Sequence, residues 1–256
     1  MSTLIWLDPG DPFPEPHCAL PQGLLAVGGD LSLASLTKAY RRGIFPWFNP
    51  GDPILWWSPD PRMLLQTANL HLSRSLAKLL RQMARREAAG AGPVQVTMNT
   101  CFDAVIQACA GPRQPGGQTW ISPHMQHAYT QWHRAGGAHS IEVWHGDELV
   151  GGLYGVAQGR FFFGESMFSR RDNASKIALA YLTRFLQCHG VQWIDCQQET
   201  RHLASMGARP VSRDFFLQEL TKAVTLPGIP WTRGVLRSNG SVAPTPELHH
   251  APGAAS

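Results

Sequence analysis

Three side chains in the C-terminal half, Glu165, Asp195 and Gln197, are of types that do chemistry and sit at spacings that bring them together. Glu165 immediately follows Arg160 to Gly164, a run containing Phe161-Phe162-Phe163 that reads as a strand. Asp195 ends a second short, largely apolar strand, Val191 to Cys196. Between them lies a helical pattern: Ile177, Tyr181 and Phe185 recur at i, i+4 and i+8, Asp172 or Asn173 caps it, and His189-Gly190 ends it. Strand, helix and strand form a crossover unit, so the two strands should run parallel. Both carboxylates then fall at the sheet edge where open α/β structures bind ligands. Gln197, two residues on in an extended segment, should point the same way as Asp195, and the helix N-terminus opens there with unpaired N–H groups. Two acids and an amide converging beside three phenylalanines read as a site. The plainer reading is that each acid only caps its loop.

Residues 71–89 carry a second pattern. At 100° per residue Leu72, Leu76, Leu79 and Met83 form one stripe, and Arg74, Lys78, Arg81 and Arg85 form another almost diametrically opposite. A solvated helix face usually mixes both signs, but here no acid appears before Glu87. Cations about 5–6 Å apart repel one another unless a polyanion neutralises them, which points to phosphate binding. Aromatic residues cluster earlier, among prolines. Trp47, between Pro46 and a Pro50-Gly51 turn, is a candidate pocket wall, whereas Trp56 and Trp57 fit core packing better.

The elements that must position these groups are legible in outline. Residues 1–23 are proline-rich and read as irregular surface chain. A helix capped by Ser32 runs through Tyr40 and stops at Gly43. Residues 87–93 read as a flexible connector and a domain boundary, followed by helices near 100–110 and 123–135. The intervening loop, 111–117, has no readable conformation. A three-strand meander then covers 140–144, 149–156 and 160–164, and short helices near 201–207 and 213–223 close the fold. From 238 onward there is little to bury, and disorder is expected. Meander, crossover helix and parallel strand together resemble the core of the N-acetyltransferase fold. The stretch that would hold a coenzyme A pyrophosphate there, Arg171-Asp-Asn-Ala174-Ser-Lys176, lacks the expected glycine, which argues against acetyl-CoA as the donor.

Composition narrows the class. The 256 residues can bury a real core, and no run approaches the ~18–20 apolar residues of a membrane helix. The N-terminus lacks a secretory pattern, so a soluble, cytoplasmic protein is expected. The five cysteines include no C-x-x-C pair, and the eleven histidines show no metal-ligand spacing, so neither a disulfide framework nor a zinc site is indicated. A net charge of +4 is compatible with a nucleic-acid partner without proving one.

Seven segments, in order and at compatible spacing over about residues 20–235, resemble the leucyl/phenylalanyl-tRNA–protein transferase family. They are Gly28-Gly29-Asp30, Arg42-Gly-Ile-Phe-Pro-Trp47-Phe48, Trp56-Trp-Ser-Pro-Asp-Pro-Arg62, Gly151-Gly-Leu-Tyr-Gly155, Gly164-Glu-Ser-Met-Phe-Ser169, Asn173-Ala-Ser-Lys176 and Ile194-Asp-Cys-Gln197. The resemblance implies an α+β chain: a small N-terminal domain (1–90), an N-acetyltransferase-like catalytic domain with a mixed sheet and crossover helix (91–237), and a tail (238–256). It implies transfer of leucine or phenylalanine, and of methionine as a further donor, from aminoacyl-tRNA to acceptor proteins with an N-terminal Arg or Lys, marking them for degradation. Asp195 and Gln197 match the family's catalytic pair and Glu165 its acidic site residue. Trp47, Trp120 and Phe162 match aromatics around the aminoacyl group and terminal adenosine. Leu153 and Leu186 take pocket positions often held by methionine and phenylalanine. Arg74 matches a tRNA-contacting arginine, with Lys78 and Arg81 beside it. The 87–93, 111–117 and post-238 segments depart from the family pattern.

The implied reaction is aminolysis of an ester by an α-amine, whose ordinary pKa of about 7.7–8.0 leaves a useful neutral fraction near pH 7. It calls for no metal and no cofactor. Asp195, oriented by Gln197, would accept or steer the amine proton, and Glu165 would face the acceptor's cationic side chain. An acetyl-CoA-dependent N-acetyltransferase and a noncatalytic RNA-binding module are the competing readings.

Overall fold

The computed structural model describes residues 4–111 and 119–244. Two sheets share the chain. The smaller contains β1 (Ile5–Leu7), β2 (Leu24–Gly28), β3 (Phe45–Pro46) and β4 (Leu55–Trp57) in the order β1-β2-β4-β3, with α1 (Leu33–Tyr40) between β2 and β3. The larger, nine-stranded sheet takes β5 (Arg62–Gln66), β6 (Val94–Met98), β7 (Ala138–His145), β8 (Glu148–Gln158), β9 (Phe161–Ser169), β10 (Trp193–Asp195), β11 (Arg209–Val211), β12 (Gly234–Leu236) and β13 (Val242–Ala243). Its order is β11-β5-β10-β9-β8-β7-β6-β12-β13. The helices that follow α1 are α2 (Arg74–Ala88), α3 (Phe102–Cys109), α4 (Pro123–Arg134), α5 (Ala174–Cys188), α6 (Arg201–Ser205) and α7 (Arg213–Val224).

The meander and the crossover are as expected. β7, β8 and β9 pair antiparallel, α5 crosses over, and β10 lies parallel to β9 with Ile194 beside Phe162 and Asp195 beside Phe163. The helices form where local signals are strongest. Ser32, Ser73, Ser122, Thr200 and Ser212 each accept a backbone N–H in the first turn of the helix they cap. Two helices lack such a bond: α3 starts at Cys101 without one, and Asn173 starts α5 in a left-handed conformation.

The strand period of two sends successive phenylalanines to opposite sides of the large sheet. Phe161 and Phe163 join a core with the small sheet, α1, α3, α4 and α7, whereas Phe162 joins a core beneath α2 and α5. The sheet is thus covered on both faces, and the small sheet packs onto one of them.

Four expectations need correcting. Residues 1–23 are not wholly irregular, because Ile5–Leu7 pairs in parallel with β2. β9 does not end at Gly164 but continues to Ser169, so Glu165 lies within the strand. The larger sheet runs across the expected boundary at residue 90: β5 precedes it, yet pairs with β10 and β11, and α2 packs its Leu76 and Met83 into the core under α5. The segment from 238 begins in ordered structure, with the Ser238 N–H and hydroxyl bonded to Glu87 and β13 paired to β12; residues 245–256, and 112–117 of the expected loop, lie outside the described residues.

Candidate active site

Where the small sheet meets β9, β10 and α5, a cavity of about 330 Å³ opens to the surface. Glu165 enters it through a break in the β-ladder. Tyr154 pairs with Ser166 and Gly155 with Gly164, leaving Glu165 as the extra residue of a bulge. A bulge re-aims the side chain it carries, and here it brings a carboxylate into a mostly apolar cavity.

Both Glu165 oxygens are bonded. The Gln197 amide donates to Oε1 at 2.9 Å, and the Tyr129 hydroxyl donates to Oε2 at 3.1 Å. Tyr129 is itself hydrogen-bonded to the Tyr40 hydroxyl, so a buried phenol chain from α1 and α4 backs the acid. Burial pushes the Glu165 carboxyl up to about 7, against the bonds from the tyrosines and Gln197, which favour the charged form. At neutral pH this group is divided between its two protonation states.

Asp195 is placed differently from the expectation. It is fully buried, does not line the cavity, and faces Arg62, which is equally buried. Arg62 Nε donates to both carboxylate oxygens, at 2.9 and 3.1 Å, and Nη2 donates to Oδ2 at 2.6 Å. The guanidinium carbon lies over the rings of Phe45 and Phe216, at 4.7 and 4.4 Å from their centroids. The remaining accepted bond comes from the backbone N–H of Gln197, at 2.8 Å to Oδ1. An amine in the cavity therefore meets Gln197 and Glu165, with Asp195 behind them.

Gln197 does not follow Asp195 in an extended segment. Its φ of +58° turns the chain sharply, so its N–H points back to Asp195 while its side chain enters the cavity. The Met63 N–H holds the carbonyl on the other side of that turn.

Trp47, Trp120, Leu153 and Phe162 all line the cavity. Leu186 does not: it is completely buried in the core beneath α5, and Leu179 and Leu182 of the same helix form the wall instead. Those two leucines, with Met167 and Phe45, were missed. The i, i+3 spacing of Leu179 and Leu182 was a usable signal, but helical spacing marks a buried face without saying whether it meets core or cavity. Trp56 is fully buried and donates its indole N–H to the Gly28 carbonyl, whereas Trp57 packs edge-on against Trp47.

Away from the cavity, Arg74, Lys78, Arg81 and Arg85 are all exposed on α2, and none has an ion-pair partner among the described residues. Glu87, the nearest acid in sequence, is turned toward Tyr181 and Ser238. The stripe is therefore uncompensated by its own helix. Among the described residues no helix is long and apolar enough to cross a membrane.

A family model described as leucyl/phenylalanyl-tRNA protein transferase matches residues 64–221, and one for the N-terminal domain of the same proteins matches residues 29–60. The leucyl/phenylalanyl-tRNA–protein transferase of Bordetella petrii is 57% identical, over 95% of this chain and 97% of that one. The protein of the same name from Bordetella avium is 54% identical, over 93% and 96%. That from Pseudomonas syringae pv. syringae is 53% identical, over 88% and 95%. Among solved structures, a GCN5-related N-acetyltransferase from Kribbella flavida superposes with a TM-score of 0.34 at 12% identity, over 70% of this chain and 60% of that one, a score too low to bear on the fold.

Proposed function

The chain belongs to the leucyl/phenylalanyl-tRNA protein transferase family, which are aminoacyltransferases, and we propose that it moves leucine or phenylalanine, with methionine as a further donor, from aminoacyl-tRNA to the N-terminal Arg or Lys of an acceptor protein. The transfer marks that acceptor for degradation, and it takes place in the cytoplasm.

The observation that carries this reading is the cavity itself: an apolar pocket walled by Leu153, Phe162, Leu179 and Leu182, with Glu165 and the Gln197 amide entering it. The apolar wall suits the donor's Leu or Phe side chain. Trp47 and Trp120 offer flat faces to the terminal adenosine. Glu165 supplies the negative partner for the acceptor's cationic side chain. The acceptor's α-nitrogen attacks the ester carbonyl, the carbonyl–ribose oxygen bond breaks, and the amine proton ends on the released ribose hydroxyl. The ester is already activated, so holding amine and carbonyl in contact is the main requirement, and it is worth up to about 7–11 kcal/mol in well-oriented systems. Gln197 positions the amine. Asp195, sealed behind it, acts through Gln197 rather than by taking the proton itself. Arg74, Lys78 and Arg81 hold tRNA phosphates.

The test is transfer of radiolabelled leucine from leucyl-tRNA to a protein that begins with Arg. Incorporation is expected with Arg or Lys at the acceptor N-terminus and not with Ala. No incorporation with any acceptor would remove the activity, and equal incorporation into the Ala-initiated protein would remove the role of Glu165.

A further inference from the structure

We propose that Arg62 is a positioning residue for the transfer reaction: it immobilises Asp195, which in turn holds the Gln197 turn that aims an amide into the cavity. The inference rests on the function proposed above.

A buried ion pair is weak evidence of stabilisation, because removing two charges from water costs several kcal/mol per ion and apolar replacements are often no worse. This pair is buried completely, and Arg62 Nη1 finds no hydrogen-bond partner among the described residues. An arrangement so demanding is better understood by what it orients. The planar fork fixes the carboxylate plane through three contacts, and the rings of Phe45 and Phe216 pack against the fork. Phe45 also lines the cavity. With its plane fixed, Asp195 presents Oδ1 to the Gln197 N–H at 2.8 Å.

Gln197 needs that anchor. Its φ of +58° is a left-handed conformation, which is strained for a non-glycine residue and persists only where the surroundings over-determine it. Two bonds do so: Asp195 accepts from its N–H, and its carbonyl accepts from the Met63 N–H. Met63 adjoins Arg62 on β5, so that strand supports the turn twice, once through the backbone and once through the cation. If the carboxylate could rotate, the Gln197 amide would lose its fixed place beside Glu165.

The test compares wild type, Arg62→Lys, Arg62→Met, Asp195→Asn and the double variant Arg62→Met/Asp195→Asn. Measurements are kcat, the KM for leucyl-tRNA and the thermal midpoint. Lysine keeps the charge but not the two-pronged grip, so Arg62→Lys should fold and lose kcat with donor KM within about twofold. A misplacement of about 1 Å can cost roughly 10²-fold, so the expected loss lies between tenfold and that. The double variant leaves no buried charge unpaired, so it stays measurable even if Arg62→Met alone unfolds. It should be no slower than Asp195→Asn, because both changes break one chain of contacts. Native kcat in folded Arg62→Lys would overturn the proposal, as would losses that multiply in the double variant. A wild-type protein that transfers neither leucine nor phenylalanine would overturn the proposed function and this inference together; an active wild type with an equally active Arg62→Lys overturns only the inference.

Discussion

In the proposed reaction a proton and the acceptor's cationic side chain compete for Glu165. Its carboxyl is pushed up to about 7, with burial the largest cause, so the anion is lost as pH falls through neutrality. The KM for an Arg-initiated acceptor should therefore rise below pH ~7, approaching tenfold per pH unit where one proton blocks one site. The acceptor's α-amine titrates nearby, at about 7.7–8.0, and blurs a simple profile. Tyr129→Phe separates the two. It removes the hydroxyl that donates to Oε2 at 3.1 Å and favours the anion, so the Glu165 limb should move to higher pH while the amine limb stays. A KM profile at saturating donor reads this directly; identical profiles for wild type and Tyr129→Phe would end the assignment. At this scale the sequence was readable for Glu165, Asp195 and Gln197 as a group, because strand, helix and strand put them at one edge. It was silent on their division of labour. Gly155 and Gly164 flank the bulge that re-aims Glu165, but Gly164 reads as a strand end. The positive φ of Gln197 has no residue signature, since that position carries no glycine.

Helices were the most legible elements because their signals are local. An apolar stripe suffices to place α2, whose inner face buries Leu76 and Met83 while its cations remain outside. Strands were read well where a short turn or the crossover helix joins them, in the meander and at β10. β5 was missed because its pairing with β10 joins Arg62–Gln66 to residues about 130 positions away, which no local pattern records. The exposed stripe on α2 gives a prediction of its own. Replacing Arg74, Lys78 and Arg81 by Ala should weaken tRNA binding and flatten its salt dependence, each lost phosphate contact removing about 0.9 (duplex) or 0.7 (single strand) from the log–log slope. Transfer from a short aminoacyl-adenosine donor should hardly change, since it has no duplex phosphates to lose. If both donors suffered equally, the stripe would be serving the fold.

Across the whole molecule, the cavity depends on segments from every part of the chain. The small sheet brings Phe45 and Trp47, the large sheet brings Leu153, Phe162 and Glu165, and α5 brings Leu179 and Leu182. The C-terminal segment contributes from behind. Trp231 stacks on Phe162 with ring centroids 5.3 Å apart, and also meets Phe185 at 5.0 Å and His139 at 4.1 Å. On another side Phe162 has no room to move, because a Cβ at Gly155 would stand 2.5 Å from its ring. Phe162 is therefore fixed by a residue about 70 positions away that does not itself line the cavity, and with it one wall of the cavity. Trp231→Leu should let that ring retreat and deepen the pocket. Leucine, the smaller donor side chain, would then leave space unfilled, while phenylalanine would follow the receding wall. Differences of one methylene in an apolar pocket are worth about 1–3 kcal/mol, so the phenylalanine-to-leucine ratio of kcat/KM should rise by roughly tenfold. Because the change leaves the exposed cations of α2 in place, tRNA affinity should not move. Competition between phenylalanyl- and leucyl-tRNA for one acceptor measures the ratio; a folded Trp231→Leu protein with an unaltered ratio would show that Phe162 holds its place without the tryptophan.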